Sequence, residues 1–370
     1  MSAAHEILFY VVDWLPPDFG AVGQYGIVFA QELARDGRRV YLIGLTSQSR
    51  NSVLNEVGDG ILEITRIPAV SYDKSRLIKR LVWTFRTNAR LLWEVIRRPE
   101  SRGADLLFTG APPFFLYFAV LAKFIRRVRL IYRITDFYPE VVIADRGSRS
   151  PLLELLQRLT WFMRRHVDMF EVLGEDQRRI LIEHGIASER IVLKRDRSPV
   201  VFSCHELPLR RPKELNGLTV LLYSGNYGVA HEVDTIVEGV IRHHQSGSGR
   251  IGVWLNATGR NADKVEAQLR LAGVPHARST TVPLDQLPAL LITADAHLIT
   301  LRSAFSGIVL PSKVYACIAS GRPIIYVGPK SSDLHLLCTE QVPNAYMQVG
   351  PGDVAGFVTA LERLAKQKTS

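Results

Sequence analysis

Cysteine is scarce in this chain: Cys204, Cys317 and Cys338 are far apart, odd in number and without CxxC or Cys/His ligand spacing. That excludes a disulfide framework and a structural zinc site, and it implies a reducing compartment. No GxxxxGK[ST] segment is present, which excludes a P-loop. "GSGRIG" (247 to 252) matches GxGxxG, but it precedes a strand pattern instead of following one and reads as a chance match in a surface turn. Long apolar runs are also missing. The most apolar stretch, "LLFTGAPPFFLYFAVLA" (106 to 122), is split by two prolines and a glycine below the ~20 residues of a spanning helix, so it reads as buried strand plus helix. The N-terminal "MSAAHEILFYVV" has no basic flank and only a strand-length apolar run, so no signal peptide is expected. Neither a zinc finger nor an RNP-like motif occurs, and no nucleic-acid partner is expected. Finally, no Asp or Glu lies between Asp295 and Asp333.

What is present is an ordinary globular composition of 370 residues, 47% hydrophobic and 22% charged, enough for two domains that each bury a core. Against 36 acidic residues stand 46 Lys and Arg, a net charge of +10 that favours anionic partners. Strand and helix patterns alternate: "EILFYVV" (6 to 12), helical spacing over 25 to 37 ending at Gly37, then the strand "RRVYLIGL" (38 to 45). This is a βαβ unit of a parallel sheet. Further strands are expected at 105 to 109, 129 to 134 and 168 to 173, the last followed by a helix near Glu175, so residues 1 to 203 read as one doubly wound domain. Residues 204 to 217, polar and aperiodic with two prolines, read as a linker. The alternation then restarts over 218 to 351, and 352 to 370 contain a final amphipathic helix.

Three segments carry candidate chemistry. In "YSGNYGVAHEVDT" (223 to 235) a strand ends at Ser224, Gly225 and Gly228 permit a tight turn, and a helix follows; its N–H groups can cradle a diphosphate or simply make a βα turn. His231 alone reads as a surface or capping histidine rather than a catalytic one. "RITDFYPE" (133 to 140) sets Asp136 and Glu140 at the carboxyl end of a strand, four apart, suited to acid/base work or, for Asp136, to capping a helix. "SGIVLPSKVYACIASGRP" (306 to 323) reads as a glycine turn and a helix from Pro311 to Gly321, a place where an anion is favoured.

Residues 74 to 98 form a basic amphipathic helix: Arg76, Lys79, Arg86, Arg90 and Arg97 on one side, Leu77, Ile78, Leu81, Phe85, Leu92, Val95 and Ile96 on the other, with Trp83 and Trp93 flanking the stripe. This suits an anionic bilayer surface, and "KFIRRVR" (123 to 129) adds to it; a core helix with a solvated charged face is the alternative.

With "PPDFGAVGQYG" (16 to 26), "SGNYGVAHE", "LPALLITADAHLITL" and "GIVLPSKVYACIASGRPIIYVG", the chain resembles a GT-B glycosyltransferase, specifically the family 4 enzymes of bacterial O-antigen and exopolysaccharide type. The resemblance spans nearly the whole chain and is most specific in "LPSKVYACIASGRP"; "RITDFYPE" resembles an "RDLWPE" type segment. It implies two doubly wound Rossmann-like α/β domains facing across a cleft, the first for the acceptor and the second for a nucleotide sugar, with the last helix crossing back to the first domain. By position, it puts Gly225, Asn226, Gly228 and His231 on one side of the donor diphosphate and Ser306, Gly307, Ile308, Val309 and Ser312 on the other. Asn256 and Gly259 fall near the nucleoside, Thr281 and Val282 at the base, and Asp136 at the reacting centre, with Gly20, Gly23 and Glu140 on the acceptor side.

The departures are specific. The family's two Glu, aligned on Gly321 and Pro323, fall on Ile308 and Ala316, and its basic pair on the diphosphate is not evident around 226 to 232. Lys313, Lys194 or Arg197 is expected to neutralise the leaving phosphate instead. An acid-free site is compatible with a retaining transfer that relies on donor phosphate oxygens and positive charge. The absence of DxD fits metal independence, with no cofactor beyond the nucleotide-sugar co-substrate. The expected activity is sugar transfer to a lipid-linked or polysaccharide acceptor by a cytoplasmic protein peripheral on the cytoplasmic face of a membrane. The alternatives are a catalytically silent homologue acting as a scaffold and a sugar-nucleotide epimerase.

Overall fold

Strand β1 (Ile7–Trp14) buries both of its faces, the mark of a central strand in a parallel sheet. Leu8, Tyr10 and Val12 pack under helix α1 (Ala21–Arg35), while Phe9 on the opposite face stacks on Tyr41 of β2 (Arg39–Thr46). The computed structural model describes residues 6–18, 21–70, 77–147 and 150–367. The chain divides into two compact units, Met1–Arg195 and Asp196–Ser370.

The first unit continues through β3 (Asn51–Val57), β4 (Gly60–Pro68), α2 (Leu77–Ile96), β5 (Asp105–Thr109), α3 (Phe115–Arg126) and β6 (Arg129–Ile134). It closes with α4 (Glu140–Arg146), α5 (Pro151–Arg164), β7 (Met169–Val172), α6 (Glu175–Glu183) and β8 (Ile191–Leu193). Its eight strands run in the order β3-β4-β2-β1-β5-β6-β7-β8, parallel except for β3 against β4. The apolar stretch 106 to 122 is β5 plus most of α3, and among the described residues no helix is long and apolar enough to cross a membrane.

The second unit is a six-stranded, all-parallel sheet in the order β11-β10-β9-β12-β13-β14. Its elements are β9 (Thr219–Asn226), α7 (Asp234–Ser246), β10 (Ile251–Thr258), α8 (Arg260–Leu271), β11 (His276–Ser279) and α9 (Leu287–Thr293). They are followed by β12 (Ala296–Thr300), α10 (Lys313–Ala319), β13 (Ile324–Val327), α11 (Asp333–Gln341), β14 (Tyr346–Val349) and α12 (Val354–Gln367).

Two segments differ from the sequence reading. Residues 204 to 217, read as a linker, are laid onto the second unit: Arg211 makes a two-pronged ion pair with Asp295, Leu209 N donates to Thr293 Oγ1, and Leu215 is buried. Helix α12, expected to cross back, packs on α7 and β14 and sends Phe357, Leu361 and Leu364 into the core of its own unit.

In each sheet the strand order reverses once, between β1 and β5 and between β9 and β12. Loops at the carboxyl ends of such strands diverge and leave a crevice, the usual ligand position in open parallel sheets.

Candidate active site

At the reversal in the second unit, β9 ends in Gly225, with φ +108°, and Asn226. Asn261 at the start of α8 fastens the turn that follows, its Nδ2 donating to Gly228 O at 2.8 Å and its N to Tyr227 O at 3.3 Å. Gly259 permits this approach: it sits at φ +100°, and a side chain there would lie 2.6 Å from Asn226 Oδ1 and 3.0 Å from Tyr227 O.

Lys313 opens α10 and reaches under this turn. Its Nζ lies 3.5 Å from the centroid of the Tyr223 ring and 3.9 Å from where a side chain on Gly225 would begin. That nitrogen is buried and has no hydrogen-bond partner among the described residues. Burial pushes the amine down to about 7, opposed by the Cys317 thiol one turn along α10, which burial in turn pushes up to about 12. An amine so placed is matched to an incoming anion, because no carboxylate of the segment from Ala296 to Ser332 competes for it.

His231 closes the crevice from the other side. Its Nδ1 is 2.9 Å from Thr300 O at the end of β12, and since a carbonyl only accepts, Nδ1 carries the proton and Nε2 is the acceptor. The ring stands edge-on to Tyr223 and Tyr227, and burial, reinforced by the Lys313 charge, holds it neutral with its pKa lowered to about 3. It thus ties β9 to β12 instead of lying on the surface. Arg302, just beyond β12, donates to Val229 O at 3.0 Å and brings a second positive charge to the same loop.

Asn256 is buried and clamps the sheet edge, donating to Ser279 Oγ at 2.8 Å and to Thr280 O at 2.5 Å. Thr281 and Val282 follow in the partly buried loop after β11. Around Gly307 the turn is closed on itself: Ser306 N donates to Ser303 O, and Ile308 N and Val309 N both donate to Phe305 O. Those three N–H groups therefore face inward, and Ser312 precedes α10. Ala316, at an expected Glu position, is buried in an apolar cluster with Leu222, Trp254 and Leu290. Lys194 belongs to the first unit, where its Nζ lies 3.3 Å from Glu171 and above the Phe29 ring, sharing Glu171 with Arg133. Arg197 is exposed at the start of the second unit.

In the first unit, Asp13 ends β1 and Asp136 follows β6, with β5 between them. Gly110, after β5, lets Asp136 come close, since a side chain there would lie 2.6 Å from Asp136 O. Burial lifts Asp136 to about 6; burial, with the Asp136 charge adding, lifts Asp13 to about 7. One oxygen of Asp13 and the Thr135 hydroxyl are buried without a hydrogen-bond partner among the described residues. Asp136 does not cap α4, which has Pro139 at its N-cap and no side-chain cap bond.

Glu140 is not in this pair. Its carboxylate takes two hydrogen bonds from the buried Arg164, at 2.7 and 3.0 Å, and Arg164 lies over the Trp161 and Phe137 rings. The expected couple of Asp136 and Glu140 is thus split, and the acid on which the Asp136 charge bears is Asp13. Gly23 lies in α1 against the Trp14 carbonyl, and Gly20 falls outside the described residues. Asp13, Tyr223 and Arg302 were not anticipated; a charged or aromatic residue at the carboxyl end of a central strand is the signal that marks each of them. Among the described residues no group of three or more His, Cys, Asp or Glu is arranged to hold a metal ion.

No family model matches the chain. The Escherichia coli (strain K12) protein WcaI, named a colanic acid biosynthesis glycosyl transferase, is 21% identical over 97% of this chain and 91% of its own length. WbjE of Pseudomonas aeruginosa, named a glycosyltransferase, is 22% identical over 72% of this chain and 68% of its own. Among solved structures, Anabaena HepE in complex with UDP and glucose superimposes with a TM-score of 0.64, at 11% identity, over 99% of this chain and 91% of that one. The two crevices, the paired parallel sheets and these relatives together identify the chain as a glycosyltransferase of the GT-B fold.

Proposed function

We propose that the second unit holds a nucleotide-sugar donor and that the first unit holds a lipid-linked saccharide or polysaccharide acceptor at the cytoplasmic face of a membrane. The observation that carries this reading is the Lys313 amine, buried beneath the Gly225 turn without a hydrogen-bond partner among the described residues. The diphosphate lies over that turn, Lys313 takes up a proton as it binds, and the resulting ammonium with Arg302 stabilises the charge that develops on the departing phosphate. The transfer is retaining and needs no metal, since these positive charges take the part a cation would play. HepE, solved with UDP and glucose, supports a nucleotide-sugar partner.

On the acceptor side, Asp13 and Asp136 repel each other, so near neutral pH one of them keeps a proton. The other, as a carboxylate, accepts a hydrogen bond from the acceptor hydroxyl and orients it. The test is thermal stability with UDP-, GDP-, dTDP- and ADP-sugars. A ligand at ~100 times its dissociation constant adds ~2.7 kcal/mol. One selective hit, lost in Lys313→Ala, is expected.

A second reading has its own observation. Ala316 sits in an apolar cluster where the family resemblance puts a Glu, so a catalytically silent homologue that serves as a scaffold is the rival. Absence of stabilisation by every sugar nucleotide at millimolar concentration would select it.

A further inference from the structure

Helices α2, α3 and α5 lie side by side on the first unit. Phe85 of α2 stands edge-on to Phe118 of α3, and Arg126 of α3 donates to Ile96 O of α2. Tyr117 of α3 is hydrogen-bonded to Thr160 of α5, and the rings of Phe124 and Phe162, one from each helix, both contact His166. Each helix buries one face in its unit, through Leu91 and Val95, through Ala119 and Ala122, and through Trp161 and Arg164.

Each also carries a second apolar face turned outward. On α2 this is Leu81, Phe85 and Trp93; on α3, Leu121, Phe124 and Ile125; on α5, Leu152, Leu155, Leu159 and Phe162. With Val82, these are eleven of the twenty exposed large apolar side chains among the described residues, concentrated on three neighbouring helices. Scattered exposed apolar residues are ordinary, but a band spanning three packed helices marks an interaction surface.

Charge identifies the occupant. Lys79 and Arg86 of α2, Arg127 after α3, and Arg158 and Arg165 of α5 are exposed on the same helices or at their ends. Between 77 and 98 there are six Lys or Arg and one acid, Glu94, which Arg50, Arg97 and Arg98 already engage. A second copy docking through this band would set basic groups against basic groups in a self-complementary interface. A surface of anionic headgroups over acyl chains meets both the charge and the apolar side chains. We infer that the α2, α3 and α5 face is a membrane-docking surface that inserts its apolar side chains between anionic lipids, with α5 contributing as much as the basic helix α2.

This surface belongs to the first unit and the donor site to the second, so its failure and that of the sugar-transfer reading are separable. The test is flotation of the full chain with phosphatidylcholine vesicles, alone or mixed with phosphatidylglycerol. Wild type is expected to float only with the anionic vesicles and less so in high salt. Leu155→Asp with Phe162→Asp on α5, and Phe85→Asp on α2, are each expected to lower the bound fraction about tenfold. Because these side chains are already exposed, melting temperature and sugar-nucleotide binding are expected to stay unchanged. An α5 variant that floats like wild type would overturn the inference, as would equal binding to neutral vesicles or none to either. So would a wild-type dimer that the α5 variant dissociates, which would make the band a contact between copies.

Discussion

Lys313 and Tyr223 form a cation–π pair in the second unit, with the lysine Nζ 3.5 Å from the ring centroid. A ring face offers attraction to an ammonium but no acceptor for its protons, so the amine is held in place without being neutralised by a carboxylate. Its titration therefore reports directly on whether an anion has arrived.

In the unfolded chain Lys313 titrates near 10.5, and in the folded chain at about 7. Between those values the unfolded state keeps a proton that the folded state has lost, so this group makes stability rise with pH from about 7 to 10.5. Lys313→Met is expected to remove that rise and to be more stable than wild type below pH 7. Denaturant titrations of both proteins at several pH values measure it, and parallel curves would refute it.

Donor binding gives the same group a second signature. An arriving diphosphate raises the pKa of Lys313, so above pH 7 binding draws in a proton and affinity falls as pH rises. Calorimetry in buffers of different ionisation enthalpy is expected to show uptake of about one proton at about pH 8. Lys313→Arg, charged throughout, is expected to show none. Proton uptake that survives this substitution would point to another group.

The acids of the first unit act in the opposite sense. Asp13 and Asp136 titrate at about 7 and 6 in the folded chain against 3.8 unfolded, so the folded state holds the extra protons. Stability from these groups is present below 3.8 and is lost as pH rises towards 7. Asp13→Asn keeps the shape and deletes one negative charge. It is expected to stabilise the protein at about pH 8 and to leave the acid limb of the transfer rate near pH 6, because burial sets the Asp136 pKa and Asp136 ionises while Asp13 is still protonated. A transfer rate with no acid limb near pH 6 would remove Asp136 from the reaction.

How much of this was legible in the sequence follows from the range of the interactions. Strand and helix order could be read because apolar spacing is local, and the turn at Gly225 and the start of α10 followed from glycine and proline placement. The pairing of Asp13 with Asp136 could not, since it depends on β1 and β6 being brought to either side of β5. The partner of Glu140 is equally remote, 24 positions away at Arg164. In α2 the apolar periodicity was evident, but periodicity does not say which part of a wide apolar arc meets the core. Leu92 and Val95 are buried as expected; Leu81 and Phe85 are exposed, at 55% and 65%. Trp83, expected at a polar boundary, stacks instead on Trp14 and donates to Val70 O. The side chains of Leu77 and Ile78, and Arg76, lie outside the described residues.

The same contrast separates structure from chemistry at "RITDFYPE". Arg164 is buried completely and reads both carboxylate oxygens of Glu140 while its plane rests on Trp161 and Phe137. Removing one member of such a pair leaves the other charged in a place water does not reach, at a cost of about 3 to 5 kcal/mol. Glu140→Ala is therefore expected to lower stability by that amount, read as a fall in the denaturant midpoint. At temperatures where the variant is still folded, the pH dependence of its transfer rate is expected to match wild type, because Glu140 gives and takes no proton in the reaction. Asp136→Ala should show the converse: a folded protein whose midpoint is not lowered, and almost no transfer. If Glu140→Ala shifted the pH profile while Asp136→Ala left the rate intact, the assignment of the acceptor-side acid would have to be exchanged between them.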